Sequence, residues 1–404
     1  MSSLQVAVAI AAIALLASII SVELSLSVAI VEIVLGVVAA NLFHLHSVPW
    51  LDFVAAFGSI VLTFLAGAEV DVGLLRAELR GSLLVGGVSF AAPFCGALLY
   101  AYFVAGWSFH AAEICGIALS TTSLAVVYAV LVETGLNQRR IGKLIMSATF
   151  VTDFGTAGAL SILFIKPNLW FVAFVAVSVL MIWLFPKASP WFFRRYGERV
   201  IEPEIKLVFF LLFCLMLLGK LSLGQAVLPA FVLGLAASRL YESHRLEQQR
   251  LRVVAFAFLT PAFFIKGGMN VSLAALGANL GLLGVLFAIK QSTKIAGIFP
   301  LARGYVGGDA LYLTLLMSTG LTFGTISSQY GYQAGIIDKA QFSLLITVVI
   351  ASAVIPTFIA QRWFQPGPEP DERQRQKSPA PRPAVSEPTA SGPTVSGPTE
   401  REGA

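Results

Sequence analysis

Long apolar stretches, each closed by a short charged cluster, follow one another from the start of this chain to about position 364. At about 18–25 residues, each is long enough to cross a bilayer as a helix. Of 404 residues, 57% are hydrophobic and 12% charged. A soluble domain carries about twice that charge, and no water-soluble packing hides so much apolar surface. The pattern predicts an all-α integral membrane protein with a transmembrane domain over 1–364. About 13 segments are expected, beginning near Gln5, Leu26, Leu51, Gly81, Ala111, Ile141, Trp170, Lys206, Gly224, Leu251, Gly281, Asp309 and Gln341.

The connections carry charge unevenly. One set holds Arg76, Arg80, Arg139, Arg140, Lys143, Lys187, Arg194, Arg195, Arg199, Lys206, Arg239, Arg245, Arg250, Arg252 and Arg303. The alternate set holds little beyond Lys166, Lys220 and Lys339. Positive residues stay in the cytoplasm, so the N-terminus is expected outside and the C-terminus in the cytoplasm, in a plasma (inner) membrane. The first run, from Val6 to Ile20, has no basic residue before it, which argues against a cleaved signal peptide. The basic residues sit at segment ends, so nucleic acid is not an expected partner. Cys95, Cys115 and Cys214 each lie within an apolar run and read as packing residues. From 365 to 404 the chain is rich in Pro, Ser, Glu and Arg, with the near repeat Ser391–Thr394 and Ser396–Thr399. It cannot bury a core and is expected to be a disordered cytoplasmic tail.

Two stretches some two hundred positions apart are alike. Phe64–Asp71 parallels Phe264–Val271, and Ser120-Thr121-Thr122-Ser123 parallels Ser318-Thr319-Gly320-Leu321. The two sets of helices begin on opposite sides of the membrane, so the repeats are inverted, as in secondary transporters. A polar break at mid-membrane frees backbone groups that only a protein-lined cavity satisfies. The expectation is two crossed discontinuous helices, broken at Ser120, Thr121, Ser318, Thr319 and Gly320.

Charge at the bilayer centre is costly and marks function. Glu113, Glu133, Asp309 and Asp338 lie near segment ends and are expected to be wet, and Glu69 and Asp71 to sit at a cytoplasmic helix end. Asp153 is different, lying about three turns into its helix. A desolvated carboxylate exchanges a proton for a cation near neutral pH. Lys290 and Lys294, four apart, share a helix face. Lys294 is the deeper and is expected to be the charge partner of Asp153, whereas Lys290 is expected to snorkel outward. Lys266 is also expected to snorkel, and Glu32 to line a funnel or a dimer contact.

The membrane portion, about Leu26 to Arg362, resembles the monovalent cation:proton antiporter-2 family of Kef-type and NapA-type exchangers. The resemblance rests on Phe64–Asp71, Ser120–Ala125, the pair Thr152-Asp153, Pro261–Phe264 with Gly268-Met269, and Lys294–Gly297. It implies a 13-helix fold, a core domain moving against a dimerisation domain, and a homodimer. It also implies a shared cation and proton site at Asp153 with Thr152, Thr122 and Ser123 beside it, and Lys294 as its partner. Three features depart from the family pattern. Thr152 stands where Asp, Asn or Gln is usual, which leaves one carboxylate. The second break lacks a Gly-Gly-Glu run, and the tail from 365 is too short and too polar for the nucleotide-binding domain expected after the membrane part in Kef-type members.

The function expected is alternating-access exchange of Na+ or K+ for H+, with no cofactor and no enzymatic activity. If Lys294 stays charged, one proton moves per cation; if it also releases its proton, two do. The single carboxylate favours the first. The alternative is a sodium-coupled symporter of a small organic anion, with Lys294 as the anchor.

Overall fold

Inside a bilayer the backbone must satisfy its own hydrogen bonds, and a helix does so within one segment. In the computed structural model, residues 2–24, 27–73, 78–164, 169–197, 199–222 and 226–367 are described, and all their regular structure is helical. The predicted segment starts at Leu26 and Gly224, the charges Arg76 and Lys166, the side chain of Glu133 and the tail repeats lie outside the described residues.

The first half holds α1 (Ser3–Leu24), α2 (Val28–Asn41), α3 (Pro49–Ala68), α4 (Leu79–Phe103), α5 (Phe109–Ser120), α6 (Leu124–Glu133) and α7 (Arg140–Leu163). A long helix, α8 (Leu169–Tyr196), links it to the second half. That half holds α9 (Pro203–Leu221), α10 (Val227–Ser243), α11 (Arg245–Val254) and α12 (Thr260–Met269). It continues through α13 (Leu273–Ala278), α14 (Leu280–Val306), α15 (Ala310–Met317), α16 (Thr322–Gln333) and α17 (Lys339–Trp363). Among the described residues, eight helical stretches are long and apolar enough to cross a membrane. α5 and α15 are not: at 12 and 8 residues they reach roughly 18 and 12 Å, and each is followed by a break and a second short helix.

Most segments begin close to where hydropathy places them; α7 starts at Arg140 and α8 at Leu169. α11 starts earlier than expected, at Arg245 rather than Leu251. Its first turns are amphipathic, with Glu247 and Leu251 buried, so a search for continuous apolar sequence misses them. A π-helical turn, Ala255–Leu259, joins α11 to α12.

Glycines let the halves interlock. Gly67 of α3 lies on the backbone of Phe231 and Leu235 in α10, and Gly234 of α10 lies on Phe64 and Ala68 in α3. Some two hundred positions away, Gly268 of α12 meets Ile33 and Val37 in α2, and Gly36 of α2 meets Ile265 in α12. Likewise Gly96 of α4 takes Thr293 of α14, and Gly297 of α14 takes Val88 and Ala92 of α4. Each contact has its mirror in the other half, the arrangement two copies related by a two-fold rotation produce. Small residues here permit backbone-to-backbone approach. A Cβ at Gly234 would collide with the Phe64 carbonyl oxygen. Gly234→Ala is therefore expected to cost about 1–3 kcal/mol, read as a lower melting temperature in detergent. Gly284→Ala, with open space around it, is the matched control and should not lower the melting temperature.

Candidate functional site

The two breaks cross. α5 ends at Ser120 and Thr121 turns into extended backbone, φ −66° and ψ 151°. The hydroxyls of the break serve the freed helix ends. Ser120 Oγ donates to the Ile117 carbonyl at 2.8 Å and Thr121 Oγ1 to Ala118 at 3.1 Å. In the second break Ser318 Oγ donates to Thr314 at 2.8 Å and Thr319 Oγ1 to Leu316 at 2.8 Å. The breaks also bond each other: the Ser123 N–H donates to the Thr319 carbonyl at 3.1 Å, and Thr122 Oγ1 to Met317 at 2.8 Å. Ser352 of α17 adds a 3.4 Å hydrogen bond to the Gly320 carbonyl. These residues, named from sequence as helix breaks, thus form one connected unit.

Asp153 projects from α7 beside this crossing and is 2% exposed. Its Oδ1 has no hydrogen-bond partner. The carboxylate opens onto a cavity of about 40 Å³, lined also by Leu124 at the start of α6, Thr322 and Phe323 at the start of α16, and Glu69. That is space for one or two water-sized species. The amino ends of α6 and α16 therefore face the same small space as the carboxylate. Ser123 Oγ is a second buried polar atom without a partner. Thr152, predicted as a co-ligand, instead turns its hydroxyl to α4 and its own helix, 3.2 Å from the Gly86 carbonyl and 3.1 Å from Ala148.

Lys294 is fully buried. Its ammonium donates to Ser89 Oγ at 2.8 Å, to Thr122 Oγ1 at 3.0 Å and to the Met317 carbonyl at 2.9 Å. Three donors meet three neutral oxygens, joining α4, α14 and the two breaks. The contact with Asp153 expected from sequence is not among its hydrogen bonds or ion pairs; Lys294 lies within electrostatic range of Asp153 without touching it. Ser89 and the Met317 carbonyl escaped sequence reading. A serine in a small-residue helix and a backbone oxygen carry no local signal.

Other expectations are corrected. Lys290 does not snorkel but is fully buried, because α14 packs that face onto α4 and the second break. Lys266 is 9% exposed and pairs with Asp52 at 2.5 Å; a carboxylate at the start of α3 reaches it first. Glu113 is buried rather than wet and pairs with His110 at 2.8 Å. Glu32 is 2% exposed with one oxygen unpartnered, so it is packed inside rather than lining a wide funnel. The three cysteines are free, with Cys115 buried and Cys95 exposed.

Two larger cavities flank the crossing. One, of about 840 Å³, is lined by Glu69, Asp71, Lys143, Glu242, Arg245 and Arg252 among others. It shares Glu69 and Leu124 with the Asp153 cavity, and Glu69 is paired there with Arg252 at 3.3 Å. The other, of about 680 Å³, is lined by Lys220, Lys266, Gln329, Tyr330 and Gln333 among others and does not reach Asp153. Phe323, in the lining of the Asp153 cavity, packs edge-on against Phe231 at 6.0 Å.

The chain is 26% identical over 352 residues to the probable Na+/H+ antiporter 3 of Methanocaldococcus jannaschii, covering 84% of this chain and 89% of that protein. It is 24% identical over 348 residues to the Na+/H+-K+ antiporter GerN of Bacillus cereus, covering 81% and 86%. The fold matches that of the sodium proton antiporter MjNhaP1 of Methanocaldococcus jannaschii at pH 8, with TM-score 0.69 and 12% identity over 91% of this chain and all of that one. Residues 8–365 match the family described as sodium/hydrogen exchanger, transmembrane, and the chain belongs to that family.

Proposed function

We propose that this chain exchanges a monovalent cation, Na+ or K+, for H+ by alternating access, with Asp153 as the shared site. The observation that carries the proposal is the Asp153 carboxylate, buried with a free oxygen, in a chamber at the crossing of two broken helices. A carboxylate there holds a cation or a proton but not both. The helix amino ends at Leu124 and Thr322 complete the chamber, and Lys294 acts on it from a distance as the nearby positive charge. Relatives bearing Na+/H+ and Na+/H+-K+ antiporter names support the ion class.

The pattern of basic connections supports a cytoplasmic position for the 840 Å³ cavity, since Lys143, Arg245 and Arg252 belong to the positive set. The conformation is then open to the cytoplasm, with the N-terminus outside and a plasma (inner) membrane as the setting. The close-packed set α2, α3, α10 and α12 suits a static scaffold and homodimer contact, and the crossing with α4, α7 and α14 suits the moving core. Thirteen crossings complete this reading. A symporter of an organic anion needs a larger chamber than about 40 Å³, and the Lys294 ammonium has no donor left for an anion.

The test is a cation panel on the purified protein in acid-loaded vesicles with a pH-sensitive dye. Addition of Na+ or K+ outside is expected to alkalinise the lumen. Sodium-driven uptake of an organic anion with no proton movement would overturn the proposal.

A further inference from the structure

The exchange reading leaves Lys290 without a task. It lies one turn before Lys294 on α14, is fully buried, and its ammonium has no hydrogen-bond partner. Burying an unpaired ammonium is costly, so packing alone would favour Met or Leu at this position. Lys290 Nζ stands against Gly320, in the space a side chain at 320 would fill, and Thr121 crowds the same point with Oγ1 and its carbonyl oxygen. Among the described residues no carboxylate pairs with it. The ionisable group it faces on its own helix is Lys294; α17 carries Lys339 and Arg362 only at its ends, and α5 carries His110 and Glu113 at its far end.

The four helix ends at the crossing explain the position. The carboxyl end of a helix carries about half a negative charge and the amino end about half a positive one. α15 ends at Met317, and Lys294 is bonded to that carbonyl. α5 ends at Ser120, and Lys290 stands beside the next residue, Thr121. The amino ends, at Leu124 and Thr322, line the Asp153 chamber. Each negative end thus has its own lysine, and each positive end shares the aspartate.

We propose that Lys290 is a positioning residue of the ion site: the positive post of the α5 end, whose charge, acting through Lys294 and the break, weakens the hold of the chamber on a monovalent cation so that protons displace it. Lys294 is the group within electrostatic range of both Lys290 and Asp153, which makes it the link. Without the second lysine, a desolvated carboxylate and two free helix ends bind the cation more tightly and release it more slowly.

This inference rests on the exchange reading, and its test separates the two. Purified full-length protein is reconstituted, and initial rates of proton movement are measured against Na+ and, in a second series, K+. Lys290→Gln removes the charge and Lys290→Arg retains it. Lys290→Gln is expected to lower KM about tenfold, the effect of one charge about 10 Å away at an effective dielectric of about 20, and to lower kcat. Lys290→Arg is expected to keep KM within about twofold of wild type. A Gln variant that fails to fold beside an Arg variant that folds with wild-type KM also supports a requirement for charge. A folded Gln variant with unchanged or raised KM, or failure of both variants to fold, overturns the proposal, because only the shape of lysine would then matter. If wild type moves no protons in response to either cation, the exchange reading itself falls and takes this inference with it.

Discussion

Asp153→Asn is expected to reduce cation-driven proton movement to the level of protein-free vesicles. The carboxylate supplies the unpaired negative charge that faces the chamber; Glu69, which also lines it, is paired with Arg252 at 3.3 Å. At about 3 Å and an effective dielectric near 20, its attraction for a monovalent cation is about 5 kcal/mol, or close to four decades in affinity. Asparagine has the same shape, so the loss is chemical rather than structural. The variant is expected to fold, because the Lys294 ammonium keeps Ser89, Thr122 and the Met317 carbonyl as acceptors when the charge at 153 is gone. Exchange by a folded Asp153→Asn variant at more than about a hundredth of the wild-type rate would remove Asp153 from the mechanism.

Lys294→Met carries the second large effect. Removing one charge of a coupled buried set leaves the other uncompensated and costs about 3–5 kcal/mol. The lysine's acceptors can partly re-pair, since Ser89 Oγ already lies 3.4 Å from Thr122 Oγ1 and Thr122 already bonds Met317. Most of the loss must therefore come from stranding Asp153. The double variant Asp153→Asn/Lys294→Met is expected to recover at least about 1 kcal/mol of the stability lost by Lys294→Met, measured as detergent melting temperatures in a double-mutant cycle. Strictly additive effects would show that Lys294 is a hydrogen-bonded strut and not the charge partner of Asp153.

Much of this architecture was legible in the sequence for a simple reason: lipid forces each crossing to announce itself as an apolar run. The two breaks were legible because Ser120-Thr121-Thr122-Ser123 and, at the matching place, Ser318-Thr319-Gly320 put polar and small residues at mid-membrane, where a continuous helix has no cheap place for them. Asp153 stood out as a charge at depth. What sequence could not supply was distance. Lys294 read as the contact of Asp153 because both are buried and oppositely charged, yet its ammonium is satisfied by Ser89, Thr122 and Met317. Lys290 read as an outward-reaching side chain because four-residue spacing says which face it shares, not what covers that face. Thr152 read as a ligand from its place beside Asp153, but successive helix residues point about 100° apart, and its hydroxyl meets the Gly86 carbonyl instead.

The small chamber at Asp153 has one further consequence. At about 40 Å³ it admits a bare ion with at most a water or two, never an ion in its full coat of solvent. Choice among ions is then made by how readily each sheds that coat. On the exchange reading, a small divalent ion such as Mg2+, which dehydrates reluctantly, is expected to be excluded because the attraction of one carboxylate does not offset the loss of its water.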